Sequence, residues 1–243
     1  MLPLSKRPFL GKILRGMILK NRFKMNFFDI QNIAFRILDY DMSWIELVAT
    51  IFGLLAVWLS AKEHISNWGF GLINVTLSAF VFFQSRLYSD VFLQSYFFVT
   101  GIYGWWQWSL VDKNNAEYAV KISYMTRAYQ LWTAVFILIS TGLIGYFIHS
   151  GGLQTLFPQI FTQPAAFPYA DTLIMMMSVV GNYLLTIKKI ESWILWVAVD
   201  IIAPVVYFQK GLLLFTFEYL IFLALAIFAL INWLKIYKKQ VIP

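Results

Sequence analysis

The stretch Trp193-Ile-Leu-Trp196-Val-Ala-Val-Asp200 decides how the rest of the chain is read. It lies inside an apolar run from Ser192 to Gln209, long enough to cross a bilayer as a helix. In a helix, Trp193, Trp196 and Asp200 fall at i, i+3 and i+7 and share one face. A carboxylate near the middle of a span is costly unless it meets a polar cavity or a partner, so it marks a functional site by default. Two flat indole faces beside one anionic group suit a flat, cationic or polar ligand. The plainer alternative is that the indoles pack or anchor at the interface while a neighbouring helix holds the Asp.

Composition sets the class. The 243 residues are 60% hydrophobic and 13% charged, with a mean hydropathy of +0.69. A soluble domain carries roughly twice that share of charge. The chain is therefore read as an all-α polytopic membrane protein. The net charge of +7 does not indicate nucleic-acid binding, because Lys and Arg sit in the N-terminal tail, the short loops and the C-terminus, as membrane flanks do. Cysteine is absent, and His64 and His149 stand apart, so neither a disulfide framework nor a metal site is expected. No cofactor is expected.

Residues 1–24 carry seven Lys and Arg that interrupt every apolar run, which argues for a basic surface helix rather than a signal peptide. Met25 is an equally good start. Residues 26–42 mix Phe27, Phe28, Ile33 and Phe35 with Asp29, Arg36, Asp39 and Asp41, and are read as an amphipathic helix. Together 1–43 form the N-terminal unit. Seven apolar segments follow, at 44–61, 67–85, 88–110, 129–149, 170–187, 192–209 and 212–234. A shift of 125 residues overlays Trp44–Trp108 on Tyr169–Trp233 without a gap. Trp68 then meets Trp193, Gln84 meets Gln209 and Trp108 meets Trp233, and 11 of the 65 pairs are identical. The expected layout is a three-helix repeat (44–110), a linker helix with its loops (111–168), a second repeat (169–234) and a tail (235–243). An odd linker leaves the repeats parallel, with the substrate site between them near the midplane. Alternate connections carry the Lys and Arg, which puts that side and the C-terminus in the cytoplasm. Seven spans then leave the basic N-terminus outside; a crossing by 26–42 as a shielded eighth helix removes the conflict.

Asp200 and Glu218 are the only charges well inside these segments, on helices joined by the Lys210-Gly211 turn. Asp200 lies about 10 residues before the turn and Glu218 about 8 after, so their depths differ by only ~4 Å. Asn74 and Gln94 flank the Arg86-Leu87 turn comparably, and Asn182 approaches from the other side. The expected site is one layer of Asn74, Gln94, Asn182, Asp200 and Glu218, walled by Trp193, Trp196, Tyr207 and Tyr219. Intramembrane Asn and Gln also serve as helix–helix glue. The Tyr103–Trp108 run reads as an aromatic belt, Gly101 and Gly104 as close-contact positions, and Met175–Met177 as packing. No catalytic pairing is found.

With those residues placed, the chain resembles the PnuC-type nicotinamide riboside transporters. The resemblance rests on Arg86-Leu87-Tyr88-Ser89-Asp90, Leu93-Gln94, the Tyr103-Gly104-Trp105-Trp106-Gln107-Trp108 run, and Trp193-x-x-Trp196-x-x-x-Asp200, where the family pattern has Asn. Asn both donates and accepts, whereas Asp⁻ only accepts. The resemblance covers roughly 44–234. It implies a three-one-three fold related to the SWEET sugar transporters, in a bacterial inner membrane, associating as a homotrimer. It also implies facilitated diffusion of nicotinamide riboside, trapped inside by phosphorylation, with no coupling ion. Trp193 or Trp196 would stack on the pyridinium, Asn182 and Gln94 would bond the carboxamide or sugar, and Asp200 would complement the ring or accept from ribose. A SWEET-like sugar carrier, another vitamin or nucleoside carrier, and a membrane-embedded enzyme are the alternatives.

Overall fold

Local chemistry starts the helices where the apolar pattern does. Ser43 and Glu46 form a capping box: the Ser43 hydroxyl accepts from Glu46 N–H (3.4 Å) and the Glu46 carboxylate accepts from Ser43 N–H (2.8 Å). Helix α1 (Trp44–Ala61) begins there. In the computed structural model it is followed by α2 (Ser66–Gln84), α3 (Tyr88–Ser109), α4 (Arg127–His149), the short α5 (Gly152–Leu156), α6 (Pro168–Thr186), α7 (Glu191–Gln209) and α8 (Leu213–Val241). Thr126 caps α4, and Pro168 occupies the first turn of α6, where a missing N–H costs nothing. The last helix runs past residue 234, the expected end of the span, to Val241.

The structure describes residues 27–37, 40–84, 88–110, 121–159, 161, 164–209 and 213–241. The expected basic surface helix at 1–24, Met25, much of the polar 111–128 connection, and the Arg86-Leu87 and Lys210-Gly211 turns lie outside them.

Helices α1, α2 and α3 pack in sequence, as do α6, α7 and α8; α4 packs on α6. The two triplets meet along α1–α8 and α3–α6. Gly104 lets α3 approach α2: a Cβ there would lie 2.4 Å from the Trp68 ring. Met176 and Met177 are core, packed with Ile174, Val199 and Val206. Five of the seven long helices are long and apolar enough to cross a membrane by length and composition; α3 and α6 are less apolar. Those two pack on each other, and Thr100 and Asn182 meet across that contact, so part of their polarity is turned toward a neighbour. The chain is a multi-pass membrane protein.

Residues 33–43 correct the expectation of an amphipathic helix, and of an eighth crossing. Strands β1 (Ile33–Ile37) and β2 (Tyr40–Ser43) form an antiparallel hairpin that leads into α1. The physical reason was in the residues: Ile33, Phe35 and Ile37 alternate with Ala34 and Arg36 at period two, with β-branched and aromatic side chains. Arg36 and Asp41 are cross-strand partners joined by a two-point ion pair, with Nη2 donating to Oδ2 at 2.7 Å. Gln84, at the end of α2, donates to Phe28 O (2.7 Å) and accepts from Ile30 N–H (3.3 Å), which ties the chain before the hairpin to the same end of the bundle.

The opposite end is organised by four indoles. Trp68 on α2, Trp108 on α3, Trp193 on α7 and Trp233 on α8 are each at most 5% exposed. Trp68 meets Trp108 edge-on at 5.4 Å, Trp193 meets Trp233 edge-on at 5.7 Å, and Trp108 meets Trp233 at 6.1 Å. The α1–α2 and α6–α7 turns here have one geometry. His64 N–H donates to Leu59 O and Glu63 N–H to Ser60 O (2.9 and 3.0 Å); Lys189 N–H donates to Leu184 O and Lys188 N–H to Leu185 O (2.9 and 3.1 Å). Both are Schellman closures. Their left-handed residues are Glu63 (φ 58°) and Lys188 (φ 51°), where glycine is usual and another residue bears about 1–2 kcal/mol of strain. Every residue of the first set maps onto the second by the 125-residue shift.

Candidate functional site

Asp200 stands midway along α7 and is 3% exposed. Four residues later comes Pro204, inside the helix and buried. Proline has no N–H, so the Asp200 carbonyl loses its i+4 helical donor. The helix stays continuous from Glu191 to Gln209, so Asp200 offers a carboxylate and a carbonyl without its i+4 donor at one level of the bundle. Sequence reasoning passed over Pro204, although a proline in an apolar run is a plain signal.

Tyr219 on α8 lies within electrostatic reach of both Asp200 and Glu218 and hydrogen-bonds Tyr207. The Tyr207 and Tyr219 rings stack at 5.2 Å and 33°, and Phe215 and Phe222 flank them. Glu218 reaches across to Thr50 on α1, one helical turn from Glu46. Glu46 accepts from the Tyr40 hydroxyl (2.6 Å) and from Ser43. Burial and the Glu46 carboxylate together push the Tyr40 phenol well above its ordinary value.

On the α3–α6 seam, Asn182 Nδ2 donates to Thr100 Oγ1 at 2.6 Å, and Thr100 in turn donates to Tyr96 O (2.9 Å). The Tyr96 hydroxyl donates to Val179 O (2.8 Å). Thr100 and Tyr96 were not among the expected residues; they face α6, whereas Gly101 and Gly104 face Leu72 and Trp68 on α2. Gln94, also on α3, is half-buried. Trp196 is half-buried, packs against both the indole cluster and the α6–α7 core, and lies over Gly181, where a Cβ would come within 3.6 Å of Nε1.

The expected layer is thus spread in depth. Asp200 with Tyr207 and Tyr219 forms one group, Asn182 with Thr100 and nearby Trp196 another, and Glu218 with Thr50 a third. Asn74 is turned inside the first triplet, where Nδ2 donates to Ala49 O (2.8 Å) beside Gly53, as helix glue. Trp193 is 2% exposed and takes the edge of Trp233. Seven residues of helix separate it from Asp200 by roughly 10 Å. Of the aromatic belt, Trp105 and Trp106 are outward-facing, while Trp108 is buried in the indole cluster.

This arrangement of two packed helix triplets has known counterparts. A solved structure described as the crystal structure of the vitamin B3 transporter PnuC shares the fold, with a TM-score of 0.62 at 24% identity, over 95% of this chain and 91% of that one. The nicotinamide riboside transporter PnuC of Escherichia coli (strain K12) is 38% identical over 231 residues, covering 87% of this chain and 95% of the relative. The riboflavin/roseoflavin transporter RibM of Streptomyces davaonensis is 23% identical, over 82% of this chain and 89% of its own. The family profile described as nicotinamide mononucleotide transporter matches residues 43–235, from the cap of α1 into α8. Both triplets and the helix between them fall within that match, and the chain belongs to the nicotinamide mononucleotide transporter family.

Proposed function

We propose that this protein carries nicotinamide riboside across the bacterial inner membrane by facilitated diffusion, with alternating access about a site between two parallel three-helix repeats. The PnuC relative at 38% identity carries the reading. The repeat arrangement is supported by the two Schellman turns at a 125-residue offset and by the paired indoles. In this reading Trp196 supplies the stacking face, because its ring is half-buried whereas Trp193 is enclosed. Asn182, oriented by Thr100, and Gln94 bond the carboxamide or sugar, and Asp200 accepts from ribose hydroxyls beside the Tyr207–Tyr219 stack. Glu218 and Asn74 hold helices together, and Trp193 holds the inner end of the site. Binding and release need no covalent chemistry, so the protein acts as a carrier rather than an enzyme. Lys235, Lys238 and Lys239 support a cytoplasmic C-terminus; a green fluorescent fusion after Pro243 is expected to glow, and alkaline phosphatase activity there would overturn the topology. The outward apolar face of α4, with Trp132, Leu138 and Leu143, suits lipid or the sister chains of a homotrimer.

The RibM relative favours a second, broader reading: any flat heteroaromatic ring bearing a polyol. Calorimetric titration of the purified protein with nicotinamide riboside, riboflavin and glucose separates these. Binding of nicotinamide riboside alone supports the proposal; riboflavin binding widens it; glucose binding in place of both would replace it with a sugar carrier.

A further inference from the structure

The two left-handed turn residues form a pair. Lys188 Nζ donates to Glu63 Oε1 at 2.5 Å, from the α6–α7 turn to the α1–α2 turn. The Lys188 and Glu63 side chains are 10% and 22% exposed, and the Lys188 ammonium also sits 4.5 Å from the centre of the Trp108 ring. The Schellman position favours glycine, and the chain instead places an acid in one triplet and a base in the other at equivalent positions. An observed backbone outlier of this kind points to a side chain needed for function. Other bonds between the triplets close the same end: Trp108 Nε1 donates to Thr186 O (3.1 Å), Trp233 Nε1 to Ser60 O (3.1 Å) and Asn232 Nδ2 to Ala61 O (2.7 Å). All three acceptors are carbonyls in the last turn of α1 or α6, next to the strained residues.

We propose that Glu63 and Lys188 are a gating pair that locks the indole end of the bundle shut and breaks in each transport cycle. The inference rests on the alternating-access reading, since a lock between triplets matters only if they part. The α6–α7 turn is also braced by the segment entering α4: Ser123 N–H donates to Lys188 O (3.1 Å), Ile190 N–H to Ser123 O (3.1 Å), and Lys189 Nζ to Ser123 Oγ (2.8 Å). Among the described residues no such segment lies against the α1–α2 turn.

The protein has no cysteine, so one introduced thiol reports cleanly. Ser60→Cys is nearly isosteric, and Ser60 is 2% exposed three residues before Glu63. In nanodiscs, the rate of maleimide labelling of this reporter is measured alone and with Glu63→Gln, Glu63→Gly, Glu63→Lys, Lys188→Glu, and Glu63→Lys with Lys188→Glu. Each single change is expected to speed labelling about tenfold, by shifting population toward the open end. Glu63→Gly is the control for folding: it relieves the backbone, so it labels faster without a lower melting temperature. The double swap is expected to label more slowly than either reversed single, the signature of a direct pair. Unchanged labelling in Glu63→Gly, or a swap as fast as the singles, overturns the gate. Labelling needs no substrate, so this outcome is separate from a failure of the parent protein to bind or carry nicotinamide riboside.

Discussion

The two ends of the bundle are held in different ways. At the indole end, four large rings, an ion pair and three side-chain bonds to helix-terminal carbonyls run between the triplets. At the hairpin end the bonds are mostly local: Tyr40, Ser43 and Glu46 satisfy one another within the hairpin and the first turn of α1, and Gln84 holds the chain before it. Glu218 with Thr50 is one contact from α8 to α1. The middle, where Pro204 removes one backbone donor from α7, holds the polar groups proposed to meet substrate. A bundle fastened at one end and locally satisfied at the other has a state to leave and a direction in which to open.

The largest expected effect lies in the middle. Asp200→Leu is expected to reduce nicotinamide riboside transport to background, because it removes the acceptor proposed for the ribose hydroxyls, while Asp200→Asn keeps measurable transport. Full transport by the Leu variant in vesicles would remove Asp200 from the site. Next comes the fastened end: Trp193→Ala and Trp233→Ala are expected to cost about 3–5 kcal/mol of stability, read as a lower melting temperature in detergent. Trp196→Ala is expected to do the reverse, weakening binding by about 1–3 kcal/mol with a small change in melting. If the melting loss falls on Trp196 and the binding loss on Trp193, the division between fastening and site is wrong. Thr100→Val is expected to weaken binding by about 1 kcal/mol, with Thr100→Ser restoring it, as titration calorimetry would show. The smallest effect belongs to the exposed hairpin. Hydrogen bonding to Arg36 holds Asp41 below the usual carboxylate range. A depressed carboxyl contributes stability above its unfolded pKa and loses it as pH falls through the folded value, so hairpin amides should lose protection, relative to their intrinsic exchange rates, as pH falls below the usual carboxylate range. Added salt at neutral pH should produce a weaker version of the same loosening.

Helix positions were legible because the apolar segments are long and end in capping or turn residues; α1 begins and ends at the residues its pattern gives. The hairpin was missed because Ile33 and Phe35 were read for a helical face, although alternation at period two through Ile37 was present. Trp193 was placed beside Asp200 because helical periodicity reports which face a residue occupies and is silent on depth; seven residues along an axis carry an indole out of the layer. Thr100 was invisible for a different reason, since a threonine among apolar residues has no distinctive spacing and becomes significant only when Asn182 arrives from another helix. The gating pair shows what the repeat can add. Glu63 and Lys188 are related by the 125-residue shift, and their equivalence shows in the left-handed backbone at both places rather than in residue type.

The central claim is tested most directly by uptake of labelled nicotinamide riboside into liposomes containing only this purified protein. The account predicts saturable accumulation to the external concentration and no further, with or without a proton or sodium gradient, and competition by unlabelled nicotinamide riboside. Entry no faster than into protein-free liposomes, or accumulation above the external concentration when an ion gradient is applied, would contradict it.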